Sequence, residues 1–373
     1  MKKTFPFIFV FFITACAIHK KEDTVPYAVG FRVIHATDTT RIYKPGSPVT
    51  DYLHFRPLDI DIWYPADSIT RDTALLFRDI LGLLPQRANY YTASLAGNGM
   101  LQQIAQMCCD YFKCSDTSRV LNFKSNSYRD AIAATGHFPL VVYLAAYNGM
   151  SYENFILFET LARNGFVVAS ISSIGRFPGD MTMKAEDLEE QVSDALASIK
   201  ILKTISEVDT SRIGLVGYSW GGLAATEVAG KIPGVTCLAS LDGSEYHHYG
   251  ESKEEDADFD GIRNSMDFRN MKLSMPYLRL ESSPGSASGK SDSVYHFPEK
   301  LTAAPKVFLI DSARHEDFSC LPYIVKKSGN CPDDHRYERI TELVLSYLEQ
   351  EMKGMETFAE TVRQDSGKIT PLP

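Results

Sequence analysis

Short apolar runs rich in β-branched residues recur along the chain from residue 141 onward. They occupy residues 141–145, 166–171, 213–216, 235–241, 277–280 and 307–310. Runs of this length without polar alternation are typical of strands that are buried on both faces of a sheet. The earlier segment RPLDIDIWYPA at 56–66 instead alternates apolar and polar side chains, which predicts a half-buried strand that stops at Pro65.

Between and after these runs, apolar residues recur at helical spacing. One set is Leu188, Val192, Leu196, Ile199 and Leu202, and the other is Ile340, Leu343, Val344, Tyr347 and Leu348. Each set falls on one face of a helix. Strands that alternate with helices predict an α/β domain, with a mostly parallel central sheet and helices on both faces.

Two regions interrupt this alternation. Residues 74–120 contain two apolar-rich segments, LLFRDILGLLP and MLQQIAQMCCDYF, which predict a helical insertion that is either a lid over a site or a cover for the sheet edge. Residues 244–270 are polar and acidic, which predicts an exposed loop. We therefore expect one α/β domain over 30–355, followed by a tail at 356–373.

The chain begins with MKKTFPFIFVFFITAC, in which two lysines precede a short apolar run and small residues. This pattern predicts an export signal at 1–16 and a polar tether at 17–29. The stretch ITAC resembles the lipobox of bacterial lipoproteins, which implies that Cys16 becomes a lipidated N-terminus; an ordinary secretory signal is the alternative. We expect a lipid-anchored protein of the bacterial cell envelope, on the periplasmic or the cell-surface side.

Charge and cysteine content narrow the set of partners. The formal net charge is −9 and the basic residues are scattered, so a phosphate backbone would be repelled and nucleic acid is not an expected partner. An even number of cysteines remains besides Cys16, which permits disulfides in an exported chain, and Cys320 with Cys331 is the first pair to expect. No CxxC pair recurs, so a structural zinc site is not predicted.

The stretch GYSWGG carries the strongest chemical signal. Gly217, Ser219, Gly221 and Gly222 lie between the apolar run at 213–216 and a helical segment. A serine at such a strand-to-helix elbow is displayed in a strained conformation, and the flanking glycines avoid collisions with the strand and the helix. Ser219 is therefore the candidate nucleophile, and the amide of Trp220 is a candidate donor to an oxyanion.

The order of strand, elbow, acid and histidine resembles the α/β-hydrolase superfamily. Within it, the chain is similar to the platelet-activating-factor acetylhydrolase and dienelactone hydrolase relatives, from about residue 60 to the C-terminal helix. The resemblance also rests on IWYPA at 62–66, PLVVY at 139–143, NGFVVASI at 164–171, LDGS at 241–244 and RHEDF at 314–318. It implies the α/β-hydrolase fold and a Ser-His-Asp triad.

The resemblance also places the base and the acid. His315 occupies the histidine position of these hydrolases, with His247 and His248 in the acidic loop as competitors. Asp242 follows the strand after the elbow, where the acetylhydrolase branch has its acid. Many other α/β-hydrolases place the acid one strand later, where this chain has Glu281. Asp311, which is close to His315 in the sequence, is a further candidate for the acid.

The oxyanion segment departs from the pattern of the relatives. They usually have His-Gly after the strand that here precedes Ala145-Ala146-Tyr147-Asn148-Gly149. Because a backbone amide needs no particular side chain, Tyr147 is still expected to supply the second oxyanion donor.

The acidic loop contains DADFDGIRNSMD at 256–267, which matches a calcium-loop pattern. The carboxylates of Asp256, Asp258, Asp260 and Asp267 would then be the ligands. An Asp replaces the usual bidentate Glu, and Arg263 occupies a normally apolar place. A solvated acidic loop is therefore favoured, and we predict neither a metal nor a cofactor.

Together these features predict an exported serine hydrolase that cleaves carboxylic esters through an acyl-enzyme. Resemblance to the acetylhydrolase branch implies short-acyl esters, on phospholipids or other amphiphiles. The expected partners are a small-molecule or lipid ester and, through the N-terminal lipid, a membrane. The alternatives are an acetyl esterase acting on glycans and a non-catalytic binding lipoprotein on a hydrolase fold.

Overall fold

The computed structural model describes residues 26–69, 73–92, 99–113, 116–172, 181–246, 253–283, 297–329 and 335–372. The predicted export signal at 1–16, with Cys16, lies outside these ranges. So do His247, His248 and Cys331.

A single sheet of eleven strands forms the centre of the described residues. The strands are β1 (Ala28–Ile42), β2 (Phe55–Ser68), β3 (Ser127–Arg129), β4 (Ile132–Ala133), β5 (Phe138–Leu144), β6 (Val167–Ile171), β7 (Val208–Tyr218), β8 (Val235–Leu241), β9 (Tyr277–Glu281), β10 (Lys306–Ile310) and β11 (Ile369–Pro371). Their order across the sheet is β11-β10-β9-β8-β7-β5-β6-β2-β1-β3, and β4 pairs with β2. The α/β-hydrolase fold implied by the sequence is confirmed.

The strands predicted from apolar runs form the parallel part of the sheet. β5 pairs in parallel with β6 and β7, and the parallel series continues through β8, β9 and β10. β1 and β2 add an antiparallel hairpin on the β6 side. Because the carboxyl ends of parallel strands meet at one edge, the segments that follow β5, β7, β8 and β10 are brought together there.

The prediction that β2 stops at Pro65 is wrong. The ladder with β1 includes Pro65 opposite Val29 and continues to Ala66 opposite Ala28. A proline removes a single donor, and its neighbours can supply the remaining ladder bonds.

Helices cover both faces of the sheet. They are α1 (Phe77–Leu81), α2 (Leu83–Thr92), α3 (Met100–Phe112), α4 (Thr117–Leu121), α5 (Phe155–Arg163), α6 (Ala185–Leu202), α7 (Trp220–Lys231), α8 (Lys253–Arg263), α9 (Met266–Asn270), α10 (Leu321–Gly329), α11 (Arg336–Lys353) and α12 (Phe358–Gln364). One apolar core contains residues of α6 to α9, and the other contains residues of α1 to α5 and α10 to α12. Along β5, Leu140 and Val142 face the first core and Val141 and Tyr143 the second, as strand pleating requires.

In the described part of the insertion at 74–120 there are four helices, α1 to α4, whereas its apolar segments predict two. α2 is fixed to the sheet by a buried ion pair, in which Arg87 donates to both carboxylate oxygens of Asp61 and to Ser172 Oγ. Breaking such a buried pair typically costs about 3–5 kcal/mol. This half of the insertion is therefore a fixed cover of the sheet.

The region 244–270 was expected to be an exposed loop, but it contains α8 and α9. Phe259, Ile262 and Phe268 are buried in the core that α6 and α7 also line. The acidic residues between these three apolar residues made the segment resemble an exposed loop in the sequence. Arg263 Nη1 donates to the carbonyl oxygen of Glu245 at 3.1 Å, which ties α8 to the segment that follows β8.

The residues after 355 also belong to the fold. β11 pairs with β10 in antiparallel fashion, and Phe358 of α12 is buried. The expected tail at 356–373 thus completes one edge of the sheet. Within the described ranges, no helix has both the length and the apolar character needed to cross a membrane.

Candidate active site

Ser219 lies at a strained elbow between β7 and α7. Its backbone has φ 55° and ψ −122°, a combination that a non-glycine residue rarely adopts. Neighbouring backbone holds it from both sides: Ser219 N donates to the carbonyl oxygen of Leu241 at 3.1 Å, and Ser244 N donates to the carbonyl oxygen of Ser219 at 2.9 Å. The serine predicted as a nucleophile therefore has the backbone geometry that the elbow motif requires.

Two glycines of the motif are required by close backbone contacts. A Cβ on Gly217 would lie 2.2 Å from the carbonyl oxygen of Gly221, and a Cβ on Gly221 would lie 2.0 Å from that of Leu144. Both contacts are with backbone, which cannot move aside as a side chain can. The absence of side chains lets the start of α7 approach the end of β5.

Ser219, His315 and Asp242 form a continuous hydrogen-bonded line. His315 Nε2 lies 2.9 Å from Ser219 Oγ, and His315 Nδ1 lies 2.8 Å from Asp242 Oδ2. An ionised carboxylate can only accept, so Nδ1 carries the proton and Nε2 is left to accept the serine hydroxyl hydrogen. This is the tautomer in which a histidine can act as a base toward a serine.

Of the acid candidates, Asp242 is the one that the structure places against His315. Its side chain is fully buried, and Asp242 Oδ1 accepts a hydrogen bond from Ser282 N at 2.9 Å. Glu281 Oε2 accepts from Arg279 Nε at 3.1 Å, and Asp311 is exposed. The buried backbone donor and the imidazole together orient the Asp242 carboxylate.

Tyr218 supports His315 and was not singled out by the sequence. Its ring stacks on the imidazole with centroids 5.1 Å apart and planes 28° apart, and its hydroxyl donates to the carbonyl oxygen of His315 at 3.1 Å. Tyr218 is the variable position before the nucleophile in the elbow motif, where the pattern specifies no residue type. Only the fold brings it beneath the histidine.

The two predicted oxyanion donors lie on adjacent segments. Leu144 pairs with Gly217, so the turn after β5 lies next to the elbow. The rings of Tyr147 and Trp220 are in an edge-to-face contact with centroids 6.4 Å apart, and the Tyr147 hydroxyl donates to the carbonyl oxygen of Met181. The turn itself is tight, with Gly149 N donating to the carbonyl oxygen of Ala146 at 2.7 Å.

Helix α3 of the insertion reaches the segment that carries His315. Tyr111 Oη donates to Glu316 Oε1 at 2.6 Å, and the Arg314 guanidinium lies 6.0 Å from the centre of the Phe112 ring. The insertion thus has two parts, a fixed cover at α2 and an element beside the candidate site at α3. The contacts of α2 agree with the cover interpretation, and the lid over the site stays a prediction.

The calcium-loop interpretation of 256–267 is wrong, because α8 runs through the pattern. In a helix, Asp258 and Asp260 project in very different directions, so they cannot converge on one ion as loop ligands do. No group of three or more metal-ligating side chains converges anywhere in the residues that the structure describes.

Four cysteines in the described ranges are free thiols: Cys108, Cys109, Cys237 and Cys320. The Cys320 thiol lies 3.4 Å from the carbonyl oxygen of Tyr152. Its predicted disulfide partner, Cys331, lies outside the described residues.

Comparison with known proteins shows what the chain is similar to. The profile of the dienelactone hydrolase family matches residues 130–258, which is less than half of the chain and includes Ser219 and Asp242. A ferulic acid esterase from Streptomyces cinnamoneus has a similar structure, with a TM-score of 0.61 and 18% sequence identity over 96% of this chain and 98% of that one. None of the curated proteins has a matching sequence.

Proposed function

We propose that this chain, a dienelactone hydrolase-like protein with the α/β-hydrolase fold, is a serine esterase that cleaves carboxylic esters through an acyl-enzyme. The observation that supports this most strongly is the line from Ser219 Oγ through His315 to Asp242, with contacts of 2.9 and 2.8 Å. A serine hydroxyl is a weak nucleophile on its own, and this arrangement activates it.

In the proposed reaction, Ser219 Oγ attacks the ester carbonyl carbon while His315 Nε2 takes the hydroxyl proton. The negative charge that develops on the carbonyl oxygen is stabilised by the backbone amides of Trp220 and Tyr147. Collapse of the tetrahedral intermediate expels the alcohol, which receives the proton from His315. Water then attacks the acyl-enzyme with His315 again acting as the base, and this step releases the acid and regenerates the serine.

Asp242 and Tyr218 would stabilise the transient imidazolium. The buried carboxylate of Asp242 accepts from His315 Nδ1 and does not itself take the proton. The Tyr218 ring lies against the imidazole, and the face of an aromatic ring favours a nearby positive charge. Both contacts are stronger with charged than with neutral histidine, so both act mainly in the transition state.

For the substrate, we propose short-acyl esters of the acetylhydrolase type. The support is the sequence resemblance of LDGS and RHEDF to that branch. An acetyl esterase acting on glycans would use the same triad, so the two differ only in the alcohol that is released. Acetylhydrolase-type esters and acetylated glycans should therefore be compared as substrates. Because the ferulic acid esterase has a similar fold, an arylacyl ester is a useful third substrate in this comparison.

We further propose that the protein is anchored in the bacterial cell envelope through lipid on Cys16. The support is the sequence of residues 1–16 alone. Expression of the full chain in a bacterium with a labelled fatty acid should give a labelled protein, and Cys16→Ser should remove the label. Equal labelling of the two chains would contradict the proposal.

The esterase proposal is tested by intact-mass analysis after treatment with a fluorophosphonate. The wild type should gain one adduct, whereas Ser219→Ala and His315→Ala should gain none. Ser244→Ala is a matched control, because the contact of Ser244 with the elbow is made by its main-chain N–H. A folded wild type without an adduct would overturn the proposal in favour of the non-catalytic binding lipoprotein.

A further inference from the structure

Glu153 is a buried carboxyl group next to the candidate oxyanion turn. Only 5% of its surface is exposed. Its Oε1 accepts from Ala146 N at 2.9 Å, directly before Tyr147, and from the Tyr143 hydroxyl at 2.7 Å. The triad proposed above does not use it.

The second carboxyl oxygen packs against the other end of the turn. A Cβ added to Gly149 would lie 2.2 Å from Glu153 Oε2 and 2.9 Å from the carbonyl oxygen of Ala146. Glu153 therefore fills the space beneath the 146–149 turn and binds it at the first residue. A carboxyl group in this place restricts where the Tyr147 amide can point.

A chain of hydrogen bonds extends from Glu153 into the core. The Tyr337 hydroxyl donates to Asn154 Oδ1 at 2.9 Å, and Asn154 Nδ2 donates to Tyr143 Oη at 2.8 Å. Tyr143 in turn donates to Glu153. All of these hydrogen bonds run in the same direction, and hydrogen bonds in such a chain strengthen one another.

Glu153 and Asn154 also bind the segment that follows His315. Asn154 Nδ2 donates to the carbonyl oxygen of Phe318 at 3.1 Å, and Cys320 N donates to the carbonyl oxygen of Glu153 at 2.7 Å. Glu153 and Asn154 therefore connect the oxyanion turn to the loop that carries the base. These two loops must keep a fixed separation if one ester carbonyl group of a substrate is to lie next to both the oxyanion turn and the base.

We infer that Glu153 is a positioning residue, which holds the 146–149 turn so that the Tyr147 amide faces the oxyanion formed at Ser219. The inference rests on the proposed esterase function. It also explains how a turn without the His-Gly of the relatives can keep its shape: a buried carboxyl group beneath the turn supplies the acceptor.

The chain contains a closely matched control in Glu159 of α5. This residue is also buried, with 2% of its surface exposed, and it accepts from Asn126 N at 2.8 Å and from Ser127 Oγ at 2.6 Å. Burial raises the pKa of both Glu153 and Glu159 to about 7. Glu159 binds the start of β3 and the residue before it instead of the oxyanion turn.

The test compares Glu153→Ala, Glu153→Gln and Glu159→Ala in hydrolysis of p-nitrophenyl acetate. Glu153→Ala should lower kcat by about 10-fold or more with little change in KM, since loss of an oxyanion donor acts on the transition state. It should weaken binding of a trifluoromethyl ketone, whose adduct carries an oxyanion, by a similar factor. Glu153→Gln keeps an acceptor for Ala146 N and should retain most of the activity.

Gly149→Ala provides an independent variant in case Glu153→Ala does not fold. Its Cβ would overlap Glu153 Oε2, so it should displace the turn and lower kcat in the same way. Glu159→Ala should lose stability, but the folded protein should keep the wild-type kcat and inhibitor affinity.

The outcomes separate this inference from the esterase proposal. Wild-type hydrolysis that does not depend on Ser219 would overturn both. Hydrolysis that depends on Ser219 but is unchanged in Glu153→Ala, or is lowered equally in Glu159→Ala, would overturn the role of Glu153 alone.

Discussion

The two sides of the candidate site are built in different ways. On the triad side, Ser219, His315 and Asp242 contact each other directly through side-chain atoms. On the oxyanion side, the candidate groups are backbone amides, and Glu153, the side chain inferred to position one of them, binds the neighbouring amide of Ala146. Motifs specify the residue types that carry out chemistry, whereas the residues that hold a backbone segment in place have no fixed type or spacing. Sequence analysis therefore predicts the candidate amides of Trp220 and Tyr147 but not the side chain that holds their segment in place.

The largest expected effect lies on the triad side. Asp242→Asn should lower kcat/KM by about 10³- to 10⁴-fold, because an amide nitrogen facing His315 Nδ1 would favour the wrong tautomer. Glu281→Gln should change it by less than about 10-fold, since Asp242 still orients the imidazole. Steady-state kinetics on a p-nitrophenyl ester would measure both, and the opposite ranking would make Glu281 the acid.

The buried carboxyl group on the oxyanion side should appear in the pH dependence of stability. The pKa of Glu153 is raised by burial from 4.5 to about 7, so between these values the folded state holds a proton that the unfolded chain has released. The free energy of unfolding must then fall as pH rises through this window. For the wild type relative to Glu153→Gln, the fall should be on the order of 2–3 kcal/mol.

Urea unfolding at several pH values between 4.5 and 8 would measure this difference. The titratable neighbours of Glu153 are Tyr143, Tyr152 and Cys320, and burial raises the pKa of each, so they stay neutral in this range. Parallel stability curves for the wild type and Glu153→Gln would show that Glu153 does not titrate in this way.

A smaller effect is expected from the support of His315. Tyr218→Leu removes both the ring contact and the hydroxyl, and it should lower kcat/KM by about 10-fold, in keeping with the typical value of an aromatic contact. Tyr218→Phe keeps the ring and should stay within about 3-fold of the wild type. If the two variants lose activity equally, the hydroxyl and not the stacking supports the histidine.

The smallest effect concerns the strain at Ser219. Glycine tolerates φ 55° and ψ −122° far better than serine, so Ser219→Gly should raise the free energy of unfolding by about 1 kcal/mol. Ser219→Ala is the control, because alanine keeps the strain. Thermal unfolding of both variants would test this, and equal stability would mean that the elbow stores no strain.

Much of the fold was accessible from the sequence because burial leaves a periodic pattern. The apolar runs at 213–216 and 235–241 lie within β7 and β8, and the faces of α6 and α11 match their predicted apolar residues. Helices α8 and α9 were missed because Phe259, Ile262 and Phe268 are too few, among acidic neighbours, to give a recognisable apolar helix face. The last strand was missed because β11 has three residues, too few for a pattern.

The site was accessible to the extent that its residues occur in motifs or at strand ends. Ser219, Asp242 and His315 were predicted, and the structure brings them together. Tyr218 and Glu153 were not, because their roles depend on contacts with residues far away in the sequence, such as Tyr218 with His315. A glutamate near the start of a helix usually faces water, so nothing in the sequence marks Glu153 as buried.

The proposed function depends on the formation of an acyl-enzyme at Ser219. The most direct test is a rapid-mixing experiment with p-nitrophenyl acetate, followed by acid quenching and peptide mass mapping. A burst of one p-nitrophenolate per enzyme, with acetyl on the Ser219 peptide and none in Ser219→Ala, is the predicted result. Hydrolysis without a burst and with no acetylated peptide, or acetyl on another residue, would contradict the account.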